Sequence, residues 1–187
     1  MTHTTSRAEQ ARATRGRVLT TAVRLFAERG YDGTSLQAIA DEMGLTKAAV
    51  YYYFHTKADI LKAVLQPGKD ASAQMIDEVA ERRSRRARID TLVERLVELL
   101  MTHRETVTIV NRDPAIHKEA AADESYFDAL RIRAATVIFG ENPTPDQRAA
   151  IYLASRIGEI IPQLADLTDD ELRTTLTTIC GGLLRSR

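Results

Sequence analysis

The 187-residue chain carries 26 lysines and arginines against 26 aspartates and glutamates, is 44% apolar, lacks tryptophan and has one cysteine, Cys180. Zero net charge argues against a protein that coats nucleic acid by bulk phosphate neutralisation, and a lone cysteine excludes an intramolecular disulfide and suits a reducing compartment. No apolar run approaches the ~20 residues of a bilayer span, and MTHTTSRAEQ lacks the apolar core of a signal peptide, so the expected setting is cytoplasmic, away from membrane.

The charge is unevenly placed. Residues 1–66 hold nine basic and six acidic side chains, whereas 67–187 hold seventeen and twenty. The polar stretch 1–6 shows no periodicity and reads as disordered. From about Ala8 to Arg29 a helix is expected, with Val18, Ala22, Leu25 and Phe26 as its apolar stripe. Arg7, Arg12, Arg15 and Arg17 gather at its start, where they suit phosphates or a minor groove as well as solvent.

Thr34 to Lys57 then reads as two short helices joined by a tight turn. Thr34 is the expected N-cap of the first, with Gln37 completing a capping box. Leu36, Ile39, Ala40 and Met43 form its apolar face, and Gly44 stops it because a left-handed residue past a helix end strains any side chain with a Cβ. Thr46 caps the second helix, whose inward residues are Val50, Tyr53 and Phe54. Small Ala40 permits a close crossing. This is a helix-turn-helix, whose second helix enters the DNA major groove.

A fourth helix is expected from Lys57, capped by Thr56 and Asp59 and ended by Pro67-Gly68, which sets the boundary between units 1–66 and 67–187. Beyond it, helices are expected at 69–83, 88–104, 114–120, 124–139, 144–166 and 169–185, with the basic run 81–88 as a solvated loop. Thr144 with Pro145, and Thr168 with Glu171, mark helix starts, while Gly158 and Pro162 suggest a kink or break. The fold class is therefore all-α, an N-terminal three-helix helix-turn-helix domain followed by a larger helical domain.

Chemistry selects the contacts. Lys47 is able to pair with guanine, Thr46 to donate to a base or touch a thymine methyl, Ala48 to make a small apolar contact, and Tyr51 faces the same way one turn later. Tyr52, Lys57 and the helix start at Thr34 and Ser35 suit phosphates. No catalytic residues are assigned: His103, His117 and Cys180 are the only candidate nucleophiles or bases besides carboxylates, and none lies in a motif. No metal site is assigned either, since His103 and His117 fit no ligand spacing, and no cofactor is called for.

The segment GYDGTSLQAIADEMGLTKAAVYYYFHTKADIL, with the amphipathic helix before it, resembles the N-terminal DNA-binding domain of the TetR family of transcriptional regulators. The likeness covers about residues 15–62 and rests on FAERG (26–30), Tyr31, Thr34-Ser35, Ile39-Ala40, Gly44, the Tyr51–Phe54 run and Lys57. It implies that Ser35 and Lys57 contact phosphates, that Gln37 reaches a base, and that Lys47, Ala48 and Tyr51 form the base-reading face. It also implies a ligand-binding and dimerisation domain over 67–187. The expected pocket lining is Leu96, Leu100, His103, Val107, Asn111, His117, Tyr126, Phe127 and Leu130, with Met75, Val110, Ile116 and Ile157 also in view. The expected interface with a second copy uses Leu153, Ile157, Ile160, Leu172, Leu176, Ile179 and Leu183. The implied function is a repressor released from a palindromic double-stranded operator by a small-molecule effector. An activator or co-repressor-dependent regulator of the same fold, and a small α-helical enzyme, are the alternatives.

Overall fold

The computed structural model describes residues 6–120 and 124–185, and the described residues contain helices and no strand. The leader expected over 1–6 lies outside them except for Ser6, which caps the first helix in a reciprocal box with Glu9. That helix, α1, spans Arg7–Arg29. It packs on α2 (Leu36–Glu42), which packs on α3 (Lys47–Tyr53). Gly44 has φ 65°, and the Leu45 amide returns to the Ala40 carbonyl at 2.9 Å, so the turn closes as its sequence requires.

The fourth helix departs from expectation. α4 runs without interruption over Lys57–Ala80, with Pro67 inside it. An internal proline removes one helical hydrogen bond and crowds the preceding turn, at a cost of about 3 kcal/mol. Here both flanks are anchored: Ile60 and Leu61 are buried in the N-terminal core, Ile76 and Val79 in the distal one. Burying four aliphatic side chains offsets the local loss, at about 1.5–3 kcal/mol each. The two cores are thus joined by one continuous helix, and Pro67-Gly68 marks no helix end.

The distal part comprises α5 (Arg85–Thr102), α6 (Arg104–Arg112), α7 (Pro114–Ala120), α8 (Glu124–Phe139), α9 (Pro145–Ser155), a 3-10 helix (Ile157–Leu164) and α10 (Asp169–Arg185). α5 lies against α4, α8 and α10, and α9 packs on α8 and α10. The basic run 81–88 is only partly a solvated loop. Arg88 donates to the Val137 carbonyl at 2.7 Å and Arg82 to the Thr91 hydroxyl at 3.1 Å, tying the α4–α5 turn to α8 and α5.

α6 was not among the expected helices. Its core is Thr106, Val107, Thr108, Ile109 and Val110, a β-branched run of poor intrinsic helix propensity. Packing overrides that preference: α6 is flanked by α1, α5, α7 and the 3-10 helix. The helix expected over 144–166 also breaks, at Arg156, ahead of Gly158 and Pro162. Gly158 serves close approach. A Cβ there would lie 2.9 Å from Leu100 Cδ2 and 3.3 Å from Val107 Cγ1.

Replacing the internal proline tests whether packing holds α4 together. Pro67→Ala restores a helix donor at an exposed position and is expected to stabilise the chain by about 1–2 kcal/mol in equilibrium denaturation. A destabilised variant would show that the proline sets a bend the packing needs.

Candidate nucleic-acid interface and interior cavity

On α3 the side chains divide cleanly. Val50 and the following Phe54 are buried, and Tyr53 packs partly on the same core. Lys47, Ala48, Tyr51, Tyr52 and His55 are exposed and recur at helical spacing on one outward face. Tyr51 is 47% and Tyr52 79% exposed, an unusual display of aromatic surface. The rings are held by neighbours: Tyr51 packs edge-on to His55 at 5.0 Å, and Tyr52 to Tyr53 at 5.1 Å. Thr46 caps the helix by accepting from the Ala49 amide at 3.2 Å, which leaves its hydroxyl proton available to donate. Arg15 of α1 lies over the Phe54 ring, 4.9 Å from its centroid, which brings one of the N-terminal arginines beside the end of α3.

The start of α2 is arranged differently from the expectation. Ser35, not Thr34, is the N-cap, accepting from the Ala38 amide at 3.0 Å. Thr34 is buried, and its hydroxyl lies 2.8 Å from the Gly30 carbonyl and 3.2 Å from that of Leu25. It pins the α1–α2 loop and cannot reach a phosphate. Gln37 does not cap either; its amide donates to Asp41 at 2.7 Å on the exposed face of α2. The shift of one residue arises because the Gly30 and Leu25 carbonyls engage the Thr34 hydroxyl and turn it inward, which leaves Ser35 as the cap.

Lys57 opens α4 and serves the same loop. Its ammonium donates to the Tyr31 carbonyl at 2.5 Å, lies 4.2 Å from the Tyr31 ring centroid and is 4.0 Å from Asp32. The neighbouring Tyr31 amide donates to Asp113 at 2.7 Å, across 82 residues of sequence. Asp113 lies between α6 and α7, and its other oxygen accepts from the Ala115 and Ile116 amides at 2.9 and 3.3 Å. Burial opposes ionisation of Asp113, but these three amides and nearby Lys57 outweigh it and hold the carboxyl below its ordinary value of 3.8. Ile116, expected at a pocket, is instead fully buried in the N-terminal core.

Inside the distal part is a cavity of about 340 Å³. Leu96, Leu100 and Leu130 form apolar wall, as do Val107 and Phe127, and His103, Asn111 and His117 add polar atoms. Met75 and Val110 also line it. Tyr126 does not: its hydroxyl donates to the Lys69 carbonyl behind the wall. Ile157 belongs to the surrounding core. Sequence reasoning missed Lys69, Glu124, Arg131, Arg156 and Glu159, all at the wall, because charged residues on amphipathic helices read as solvated faces. Val64, Leu65 and Val110 line this cavity and pack against the N-terminal core as well.

The expected interface residues are split. Leu172 and Leu176 are fully buried and Ile157 nearly so within the chain's own core, so they are unavailable to a second copy. Close packing with α5 draws the inward face of α10 into the monomer. Leu153 and Ile179 are exposed, as is Tyr152, and Ile160 and Leu183 are half-buried. Cys180 is buried, which pushes its thiol up to about 11 and leaves it unreactive. Among the described residues no cluster of three or more His, Cys, Asp or Glu is arranged to hold a metal, and no helix is long and apolar enough to cross a membrane.

Two variants separate structure from contact. Thr34→Val should destabilise the chain by about 1 kcal/mol, since two carbonyls lose a buried donor; no change in denaturant midpoint would contradict that role. Asp113→Asn should be most harmful at neutral pH. A carboxyl whose folded value is depressed stabilises fully above its ordinary value and loses this as pH falls through the folded value. The difference between parent and variant should therefore shrink below about pH 4 in pH-dependent unfolding, and a difference independent of pH would contradict the clamp.

Residues 18–64 match the family model described as bacterial regulatory proteins, tetR family. The negative transcriptional regulator IcaR of Staphylococcus aureus is 43% identical over 44 residues, 24% of either chain. The matched stretches span less than half the length of the curated relatives. Solved structures extend the likeness. A TetR/AcrR-family regulator from Thermobifida fusca aligns over 93% of this chain and 98% of its own, with TM-score 0.59 and 27% identity. FadR of Bacillus subtilis, solved in complex with stearoyl-CoA, aligns over 91% and 97% with TM-score 0.68 at 15% identity, a likeness of fold alone. Residues 18–64 thus carry the sequence signature of the TetR family's regulatory proteins, and the chain as a whole is similar in architecture to solved TetR/AcrR-family transcriptional regulators.

Proposed function

We propose that the protein is a homodimeric repressor that binds a palindromic operator through α3 and releases it when a small molecule occupies the distal cavity. The observation that carries this reading is the shared wall: Val64, Leu65 and Val110 face both the cavity and the core of the helix-turn-helix. A ligand that reshapes the wall must therefore repack the reader's support. It lowers DNA affinity when it prefers the conformation that DNA does not. IcaR, similar over the helix-turn-helix, is named a negative regulator, and the FadR structure contains stearoyl-CoA, which support the repressor and effector parts of the reading.

Lys47, Ala48, Tyr51 and Thr46 are the base-reading set, with Gln37 beside them on α2. Ser35, Tyr52 and Lys57 hold phosphates, with Arg15 a further candidate from its place next to Phe54. Two readers about 34–36 Å apart match successive major grooves, and dimerisation supplies the second. Tyr152, Leu153 and Ile179 offer the exposed apolar surface for it on α9 and α10.

Fluorescence anisotropy against DNA flanking the protein's own gene, with scrambled competitor and two salt concentrations, tests the reading. Saturation at two protomers per site, resistant to competitor, is expected. Binding indifferent to sequence would overturn it. Lys47→Ala should alter preference among operator variants by about 1–3 kcal/mol, whereas Lys57→Ala should weaken all sequences alike and reduce the salt slope by about one. Leu153→Asp should shift the sedimentation profile to monomer and abolish tight operator binding, while an unchanged dimer would place the interface elsewhere.

A further inference from the structure

The outward face of α3 carries one exposed ring whose orientation is set by another. Tyr51 takes the His55 ring edge-on, with centroids 5.0 Å apart and planes at 65°. The Tyr51 hydroxyl has no hydrogen-bond partner among the described residues, so it is open to a partner outside the chain. His55, also exposed, is placed from both sides. Phe54 before it ends α3 in extended conformation with its ring buried. Thr56 after it caps α4 in a reciprocal box with Asp59, at 2.9 and 3.0 Å. With both neighbours anchored, the backbone at residue 55 is fixed where its ring meets Tyr51.

An unsupported surface tyrosine samples several rotamers, and ordering it when a partner binds costs about two- to tenfold in affinity. An edge-to-face ring pair contributes on the same scale. A ring held in advance loses less freedom on binding, and it meets one position of the groove rather than several. Support of this kind changes discrimination at the bases the ring reaches. A histidine that instead contacted a phosphate would strengthen binding to all sequences alike. The engagement of the His55 ring with the edge of Tyr51 favours the first role.

We propose that His55 is a positioning residue for DNA reading: its ring holds Tyr51 in the orientation that meets base edges, so that sequence preference under Tyr51 depends on the side chain at position 55. This rests on the reading of α3 as the recognition helix and of Tyr51 as a base contact.

The test is fluorescence anisotropy of the full chain on the duplex that the parent selects from random DNA, together with every single-base-pair variant of one half-site. His55→Ala and His55→Lys are expected to reduce discrimination about three- to tenfold at the base pairs that respond to Tyr51→Ala, and to leave it intact at those that respond to Lys47→Ala. His55→Phe keeps a ring of similar reach and should retain the parent's preference. In a Tyr51→Ala background, His55→Ala should add little, as expected of a residue acting through Tyr51. Parental preference in His55→Ala or in Tyr51→Ala overturns the proposal, as does a loss in His55→Phe equal to that in His55→Ala. A uniform loss in His55→Ala that His55→Lys restores also overturns it and assigns His55 to a phosphate. Residue 55 is exposed, so the variants should fold, which circular dichroism checks; the Tyr51→Ala comparison stands even if one of them does not. If the parent selects no sequence, the reading of α3 falls and this inference with it, whereas a selective parent matched by His55→Ala removes this inference alone.

Discussion

The Asp113 carboxylate is the point on which the two halves of the molecule depend. One of its oxygens receives the Tyr31 amide from the loop that leads into the DNA-reading helices, and the other caps the start of α7. Without it, a half-buried amide in the reader would be left unmatched and α7 would lose its N-terminal partner. Lys57 closes the other side of the loop by donating to the Tyr31 carbonyl and stacking on its ring. A single residue therefore has its amide held by Asp113 of the distal part and its carbonyl by Lys57 at the start of α4. Tyr31 thus bridges the end of α6 and the start of α4.

Seen this way, the helix-turn-helix is not a self-sufficient bundle with a tether. Its core includes Ile116 of α7, fully buried, and its flank includes Ile109 and Val110 of α6. α4 binds it from below and continues through Pro67 into the distal core. Two structural routes thus connect cavity and reader: α4 through Val64 and Leu65, and α6 through Val110 and then Asp113. Gly158 makes the second route tight, because its missing Cβ lets the 3-10 helix press on Leu100 and Val107 while its carbonyl accepts from Asn111 at 3.3 Å. Close packing of this kind deforms in discrete steps rather than continuously.

Much of this was legible in the sequence, for identifiable reasons. Gly44, the Thr46 cap and the Val50/Phe54 spacing are local signals, and the turn and recognition helix follow from them. The wall positions on α5 and α8 follow from helical periodicity, which marks an inward face without saying whether that face meets core or cavity; hence Leu100 lines the cavity while Ile116 does not. What was lost depends on distant partners. Thr34 and Ser35 are both good caps, and only the carbonyls of Leu25 and Gly30 decide which turns inward. Pro67 is a local stop signal overruled by burial at both ends of α4, and the β-branched run of α6 is a local non-helix signal overruled by its neighbours. The charged rim at Arg131 and Arg156 was invisible because nothing in a periodic pattern tells a paired charge on a cavity wall from a solvated one.

The claim that Asp113 holds reader and cavity wall together is tested most directly by native-state amide exchange of the Asp113→Ala chain against the parent. The account predicts that protection falls selectively at the amides of Tyr31, Ala115 and Ile116 and through the reader core around Val18, Leu25 and Val50. The distal core at Leu92–Leu100 should keep its protection. Unchanged exchange at Tyr31, or loosening spread evenly over both cores, would contradict it.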